Sequence, residues 1–228
     1  MLLAIDTATR VMSLALHSGT ELLAEQTWHT LDNHTTELAP AVNSLLKHCN
    51  ATLGDLTALA VSVGPGSYTG LRIGVALAKG IAAARKLPLV GVSTLDSIAA
   101  GQPNFQSGHG LIVVVQAGRG RIIVKTYRWR KGRWTSHAEP QLMEWDEMFA
   151  SVDGPAYLTG EINADGRTAF EAARDRSIPV ILAPPAYRLR RAGFVAEEAW
   201  ERLRAGKETF EAVKLIPIYI PTKDVPMP

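Results

Sequence analysis

Val63-Gly64-Pro65-Gly66-Ser67-Tyr68-Thr69-Gly70-Leu71-Arg72-Ile73-Gly74 is the most informative stretch of this 228-residue chain. A β-branched apolar run, Leu59 to Val63, reaches a Gly-Pro-Gly turn, and an Ala-rich segment from Thr69 to Arg85 follows. That order reads as a buried strand, a tight turn and the start of a long helix. The glycines open backbone angles closed to other residues, and the hydroxyl of Ser67 or Thr69 can cap the first N–H groups of the helix. Such a terminus can hold an anion. It is not a P-loop, because no Gly-Lys-Ser/Thr closes it and Arg72 already lies in the helix. Inside the helix, Gly70, Gly74, Ala78 and Ala82 recur every four residues. A helical glycine costs about 1 kcal/mol relative to alanine, so the stripe predicts close approach of another backbone, from the same fold or from a second subunit.

Upstream, Leu2–Ile5, Val11–Leu16 and Leu22–Trp28 read as three strands joined by tight turns. Leu38, Val42, Leu45 and Leu46 then take the spacing of one helical face, with Pro40 tolerated in a first turn. Downstream, Leu87–Val92 is a further buried strand. Three hairpin-linked strands followed by helical crossovers define an RNase-H-like unit. A Gly/Pro/Asn/Ser-rich stretch, 101–110, precedes a second series: strands at Leu111–Val115, Ile122–Trp129 and Trp134–His137, then a helix from Trp145. A strand at Ala156–Thr159, a helix at Thr168–Arg174, a strand at Val180–Leu182 and a helix at Phe194–Leu203 complete it. The expected fold is therefore α/β, of the actin-like ATPase type, with halves at residues 1–100 and 101–228.

Composition narrows the function classes. The net charge is +2 and 46% of residues are apolar, so only a local surface can be strongly basic. One cysteine, Cys49, excludes an internal disulfide framework and suits a reducing compartment. The opening Met1-Leu2-Leu3-Ala4-Ile5-Asp6 has neither a basic leader nor a long apolar run. A cytoplasmic location without a membrane span is expected.

An actin-like ATPase needs a phosphate loop after the first strand of each half. Asp6-Thr7-Ala8-Thr9 holds the first position, and Asp6 is the one weak candidate for reaching magnesium, with Ala8 where a glycine would ease phosphate approach. Gln116 holds the second, and a neutral amide is a poor ligand for a hard dication. His29 and His34 flank a strand-to-helix loop and share no helical face, so neither metal ligation nor a catalytic constellation is expected. Arg119, Arg121, Lys125, Arg128, Arg130, Lys131 and Arg133 run beside Tyr127, Trp129 and Trp134; they are an RNA-contacting face or the solvated charges of an edge hairpin. Arg188, Arg190 and Arg191 form a smaller patch open to the same two readings.

The Gly64–Gly74 segment with Lys79 and Gly80 resembles the signature of the TsaB (YeaZ) family. Leu3–Thr9, His34–Pro40, Leu89–Leu95 and Ile216–Ile220 are similar to further family segments. Gln116-Ala117-Gly118-Arg119 departs from the family's usual Asp-Ala-Arg. The resemblance implies a non-catalytic subunit of the machinery that forms threonylcarbamoyladenosine in tRNA. It implies pairing with a catalytic TsaD paralogue, a TsaE-type ATPase joining the pair, indirect engagement of tRNA, and a possible homodimer when alone. The paralogue's metal motif, two histidines four apart around Glu-Gly, is missing here. No cofactor of its own is implied; ATP and magnesium would belong to the partners. The expected partner-binding residues are Leu38, Val42, Leu45, Gly70, Leu71, Gly74 and Ala78, and Gly74→Arg is expected to break the heterodimer while leaving the monomer folded. The alternative is a stand-alone actin-like ATPase or small-molecule kinase, supported by Asp6 and the Gly64–Gly70 helix start.

Overall fold

The computed structural model describes residues 1–228 except 31–32, 105–107, 137 and 221–228. It has two compact units, Met1–Ser97 with Arg190–Tyr219, and Ile98–Leu189. In the first, β1 (Leu2–Asp6), β2 (Val11–His17) and β3 (Leu22–His29) are antiparallel neighbours. Helix α1 (His34–His48) leads to β4 (Ala58–Gly64), α2 (Tyr68–Arg85) to β5 (Leu89–Ser93), and α3 (Thr94–Ala100) carries the chain onward. The strand order is β3-β2-β1-β4-β5, with β4 parallel to both β1 and β5.

The second unit repeats the plan. Strands β6 (Gly110–Gly118), β7 (Arg121–Arg130) and β8 (Arg133–Thr135) are antiparallel in succession, and the short β9 (Gln141–Met143) also pairs with β7. Helix α4 (Trp145–Ala150), β10 (Ala156–Gly160), α5 (Ala164–Asp175), β11 (Val180–Leu182) and α6 (Pro185–Arg188) follow. The order is β11-β10-β6-β7-β8, with the β11–β10–β6 part parallel. Helix α5 begins at Ala164, four residues before the expected start, because Asn163 Oδ1 accepts from the Gly166 amide and caps it. Ile112, Val114, Ile122 and Val124 pack against Trp145, Met148 and Phe149 of α4 and Ala169 and Ala173 of α5. Residue 137 of the expected third strand and residues 105–107 of the expected connector lie outside the described residues.

The last helix, α7 (Ala192–Ala205), lies on the first sheet. Strand residues alternate between two faces. Leu3, Ile5, Leu59 and Val61 meet α1 and α2, whereas Leu2, Ala4, Ala58 and Ala60 meet Ala192, Val195, Ala196 and Ala199 of α7. Alanines on both sides let the helix sit close to the sheet, and β1 and β4 are buried on both faces. The expected division at residues 100 and 101 is thus corrected at its C-terminal end: residues 190–219 belong to the first unit. Among the described residues no helix is long and apolar enough to cross a membrane.

Candidate functional site

Each sheet reverses its strand order at a central parallel pair, β1/β4 in the first unit and β6/β10 in the second. Open α/β sheets bind ligands in the crevice beyond the carboxyl ends of such a pair. In the first unit that crevice is filled by the chain itself. Asp6 is 0% exposed; its Oδ1 accepts from the Ala8 amide at 2.9 Å and its Oδ2 from Arg190 Nε at 2.9 Å. Arg190, itself 3% exposed, also donates through Nη1 to Thr9 Oγ1 at 2.6 Å and through Nη2 to the Val11 carbonyl. A guanidinium in that fork satisfies the carboxylate as a magnesium ion and its waters would, and both charges are removed from solvent.

The Gly-rich loop closes over the same place. Ser67 N donates to the Ala8 carbonyl at 2.6 Å, and Thr7 Oγ1 donates to the Gly70 carbonyl at 2.7 Å. Ser67 Oγ caps α2 by accepting from the Gly70 amide at 3.3 Å. A Cβ on Gly66 would strike the Ala8 carbonyl oxygen, one on Gly70 the Thr7 carbonyl oxygen, and one on Gly74 the Thr7 hydroxyl. His34 is buried at the start of α1, with Nε2 hydrogen-bonded to the Thr9 carbonyl at 2.9 Å. On the far side of the loop, Ile218 N donates to the Val63 carbonyl at 2.6 Å, and the Tyr68 and Tyr219 rings lie 5.2 Å apart. Burial, and secondarily Tyr68, holds the Tyr219 hydroxyl above its usual pKa. The loop is a packing joint between β1, α2 and the Ile216–Tyr219 segment.

In the second unit Gln116 bridges the crevice. Its amide donates to Glu161 Oε2 at 3.0 Å and its Nε2 to the Glu161 carbonyl at 2.8 Å. A Cβ on Gly160 would overlap the Val114 carbonyl oxygen. In the first crevice the Asp6 carboxylate is consumed by Arg190; in the second a neutral glutamine amide stands at the end of β6, beside the Glu161 carboxylate that accepts its backbone N–H. Among the described residues no group of three or more His, Cys, Asp or Glu is placed to hold a metal.

The seven residues expected to form a partner surface are brought together, but in the interior. Leu38, Val42 and Leu45 of α1 and Gly70, Leu71, Gly74 and Ala78 of α2 are all buried within the first unit. The glycines of the stripe let α2 press on Thr7, and the expectation that Gly74→Arg leaves a folded monomer is corrected accordingly. What α2 turns outward is Tyr68, Thr69, Arg72, Ala76, Gly80, Ala83, Ala84 and Arg85, with Ile73, Leu77 and Ile81 half-buried beside them. Lys79 lies along this face, but its Nζ is engaged by the Val213 carbonyl at 3.3 Å.

The second arginine patch also divides. Arg190 is the buried clamp just described, and Arg191 pairs with Glu25 at 2.6 Å, whose other oxygen accepts from the Gly193 amide at the start of α7. Arg188, in the other unit, has its Nε buried without a partner, and burial followed by the charge of Arg167 lowers its pKa. Sequence reasoning missed the role of Arg190 because Asp6 lies 184 residues away.

The family model described as TsaD, tRNA N6-adenosine threonylcarbamoyltransferase, matches residues 22–171. The tRNA threonylcarbamoyladenosine biosynthesis protein TsaB of Bacillus subtilis is 36% identical over 163 residues, 70% of each chain. The protein of that name from Escherichia coli is 36% identical over 140 residues, so the match spans 58% of that relative's length and 58% of this chain. YeaZ from Pseudomonas aeruginosa superposes with a TM-score of 0.75 at 24% identity, covering 96% of this chain and 99% of that one, a likeness of fold. The paired-histidine motif of the transferase has no counterpart, since His29 ends β3 and His34 is bonded to the Thr9 carbonyl. On its matched length and its identity to the Bacillus relative, the chain belongs to the TsaB (YeaZ) family of tRNA threonylcarbamoyladenosine biosynthesis proteins.

Proposed function

We propose that this protein is a non-catalytic, cytoplasmic subunit of a threonylcarbamoyladenosine-forming complex, and that it pairs with a TsaD-type transferase. The observation that carries the reading is the Asp6–Arg190 clamp. The carboxylate that an actin-like ATPase would need after its first strand is here committed to an internal ion pair. ATP and magnesium are then left to the partners, the transferase and a TsaE-type ATPase. The alternative, a stand-alone ATPase or kinase, keeps the Gly64–Gly70 helix start but loses Asp6, the other of its two supports.

The partner is proposed to cover the outward face of α2. A surface helix normally carries polar residues opposite its core-facing stripe, and a middle stretch that turns mainly small apolar residues outward suits a covering partner. From Ile73 to Ala84, Lys79 is the one charged residue of α2. Its flat outward side suits close approach of a second helix pair, from a homologous partner or, when the protein is alone, from a second copy across a two-fold axis.

Gly80→Arg tests this surface. The Cβ position of Gly80 meets no atom within 4 Å, and replacing a helical glycine favours the helix by up to about 1 kcal/mol. The melting temperature is expected to hold or rise, while the heterodimer with the transferase is lost on gel filtration. A heterodimer that survives both Gly80→Arg and Ala76→Arg would place the interface elsewhere.

A further inference from the structure

Residues 119–133 contain seven Lys or Arg and no Asp or Glu, in a chain whose net charge is only +2, so the remaining residues carry −5. The structure folds this segment into β7, its turn and β8. Register sets Arg130 directly across from Arg133, Arg128 across from Thr135 and Trp129 across from Trp134. Alternation along the strands then gathers Arg128, Arg130 and Arg133 on one face, with Lys131 at the turn and Trp129 and Trp134 on the other. Successive same-face residues of β7 stand about 7 Å apart.

The hairpin is held firmly. Trp134 is 9% exposed, its Nε1 donates to the Gln102 carbonyl at 2.9 Å, and it meets the Trp129 ring edge-on at 5.2 Å. Part of its cationic face has no internal counter-charge. Arg128 approaches Asp153 at 3.9 Å with both side chains largely solvated, and among the described residues Arg130 and Lys131 have no acidic partner. Like charges directly opposite one another weaken a strand pair. Shielding an edge strand takes one or two charges, not an acid-free run of seven, and it gives no reason to accept the Arg130–Arg133 juxtaposition.

We propose that the β7–β8 hairpin is an RNA-contacting surface on which Arg128, Arg130, Lys131 and Arg133 engage backbone phosphates. Arginine forks match phosphate oxygens, and a rigid row of them follows a polyphosphate backbone. Because the aromatic rings face the other way, the contact reads no bases and discriminates little between RNA sequences. The choice of tRNA as probe rests on the function proposed above, but the charge geometry does not.

The test titrates the full chain into a labelled unmodified tRNA transcript between about 50 and 200 mM salt, and compares it with the triple variant Arg130→Gln, Lys131→Gln, Arg133→Gln. The variant is expected to bind about tenfold or more weakly at the low-salt end, with the slope of log affinity against log salt reduced by about 2. Lysine at all three positions should restore most of the slope. Melting temperature and heterodimer formation should be unchanged, which separates this result from failure of the partner reading. An unchanged slope in the glutamine variant overturns the proposal. So does an equal loss of binding to phosphatidylserine vesicles or polyglutamate, which would mark a general polyanion surface. A tenfold preference for one RNA sequence over a scrambled one would replace phosphate contact with base readout.

Discussion

Arg190→Met is expected to destabilise the first unit by about 3–5 kcal/mol, the cost of leaving a buried carboxylate without its counter-charge. Asp6 is 0% exposed, and once the guanidinium is gone it keeps the bond from the Ala8 amide. Thr9 Oγ1 is left with only the long bond from the Val11 amide, and the Val11 carbonyl loses the guanidinium donor. The double variant Asp6→Asn, Arg190→Met removes both charges and should recover a large part of the loss, because most of the single variant's cost is the stranded charge rather than the strength of the pair. Urea denaturation of the wild type, both single variants and the double gives the coupling directly. If Arg190→Met costs less than about 1 kcal/mol, water already reaches Asp6 and the crevice is not closed as described.

Gly70→Ala should be nearly as damaging, at about 2–3 kcal/mol, for a different reason. The added methyl would overlap the Thr7 carbonyl oxygen, a backbone atom just past β1 in a turn fixed by the bonds of Thr7 Oγ1 to the Gly70 carbonyl and of the Ala8 amide to Asp6. Alanine is the better helix former, so propensity alone predicts a gain of about 1 kcal/mol. Gly80→Ala, on the same helix but facing open space, should show that gain. Opposite signs for one substitution ten residues apart would show that α2 is seated by its small inner stripe. Equal signs would mean that α2 does not press on Thr7. Gly74→Arg, which points a long cation at the Thr7 hydroxyl, is expected to give no folded protein.

Much of this fold was legible because its strands and helices carry clear periods. Val11–His17 and Ala58–Gly64 bury every residue or nearly so, and the spacing of Leu38, Val42, Leu45 and Leu46 matches one buried helical face. The short elements, α3, α6 and β9, were not legible, since three to seven residues hold too little pattern. The docking of α7 was hidden for a physical reason: its contact face and the sheet face beneath it are mostly alanine, which reads as helix propensity rather than as a core. The Gly70–Ala82 stripe was legible as a close approach but not as to what approaches, because a loop backbone and a second helix impose the same small-residue spacing. The Asp6–Arg190 clamp could not be read at all, as nothing local in the sequence links the two ends of the first unit. The outward face of α2 was visible only as the remainder, once the inner face had been assigned.

The most direct test of the central claim is reconstitution of tRNA threonylcarbamoylation with a TsaD-type transferase, a TsaE-type ATPase and an enzyme that supplies the threonylcarbamoyl adenylate, with this protein present or omitted. Product is expected only when the protein is present, with no ATP hydrolysis by the protein alone and no product when it carries Gly80→Arg. Full product in its absence, or nucleotide turnover by the isolated chain, would contradict a non-catalytic partner subunit.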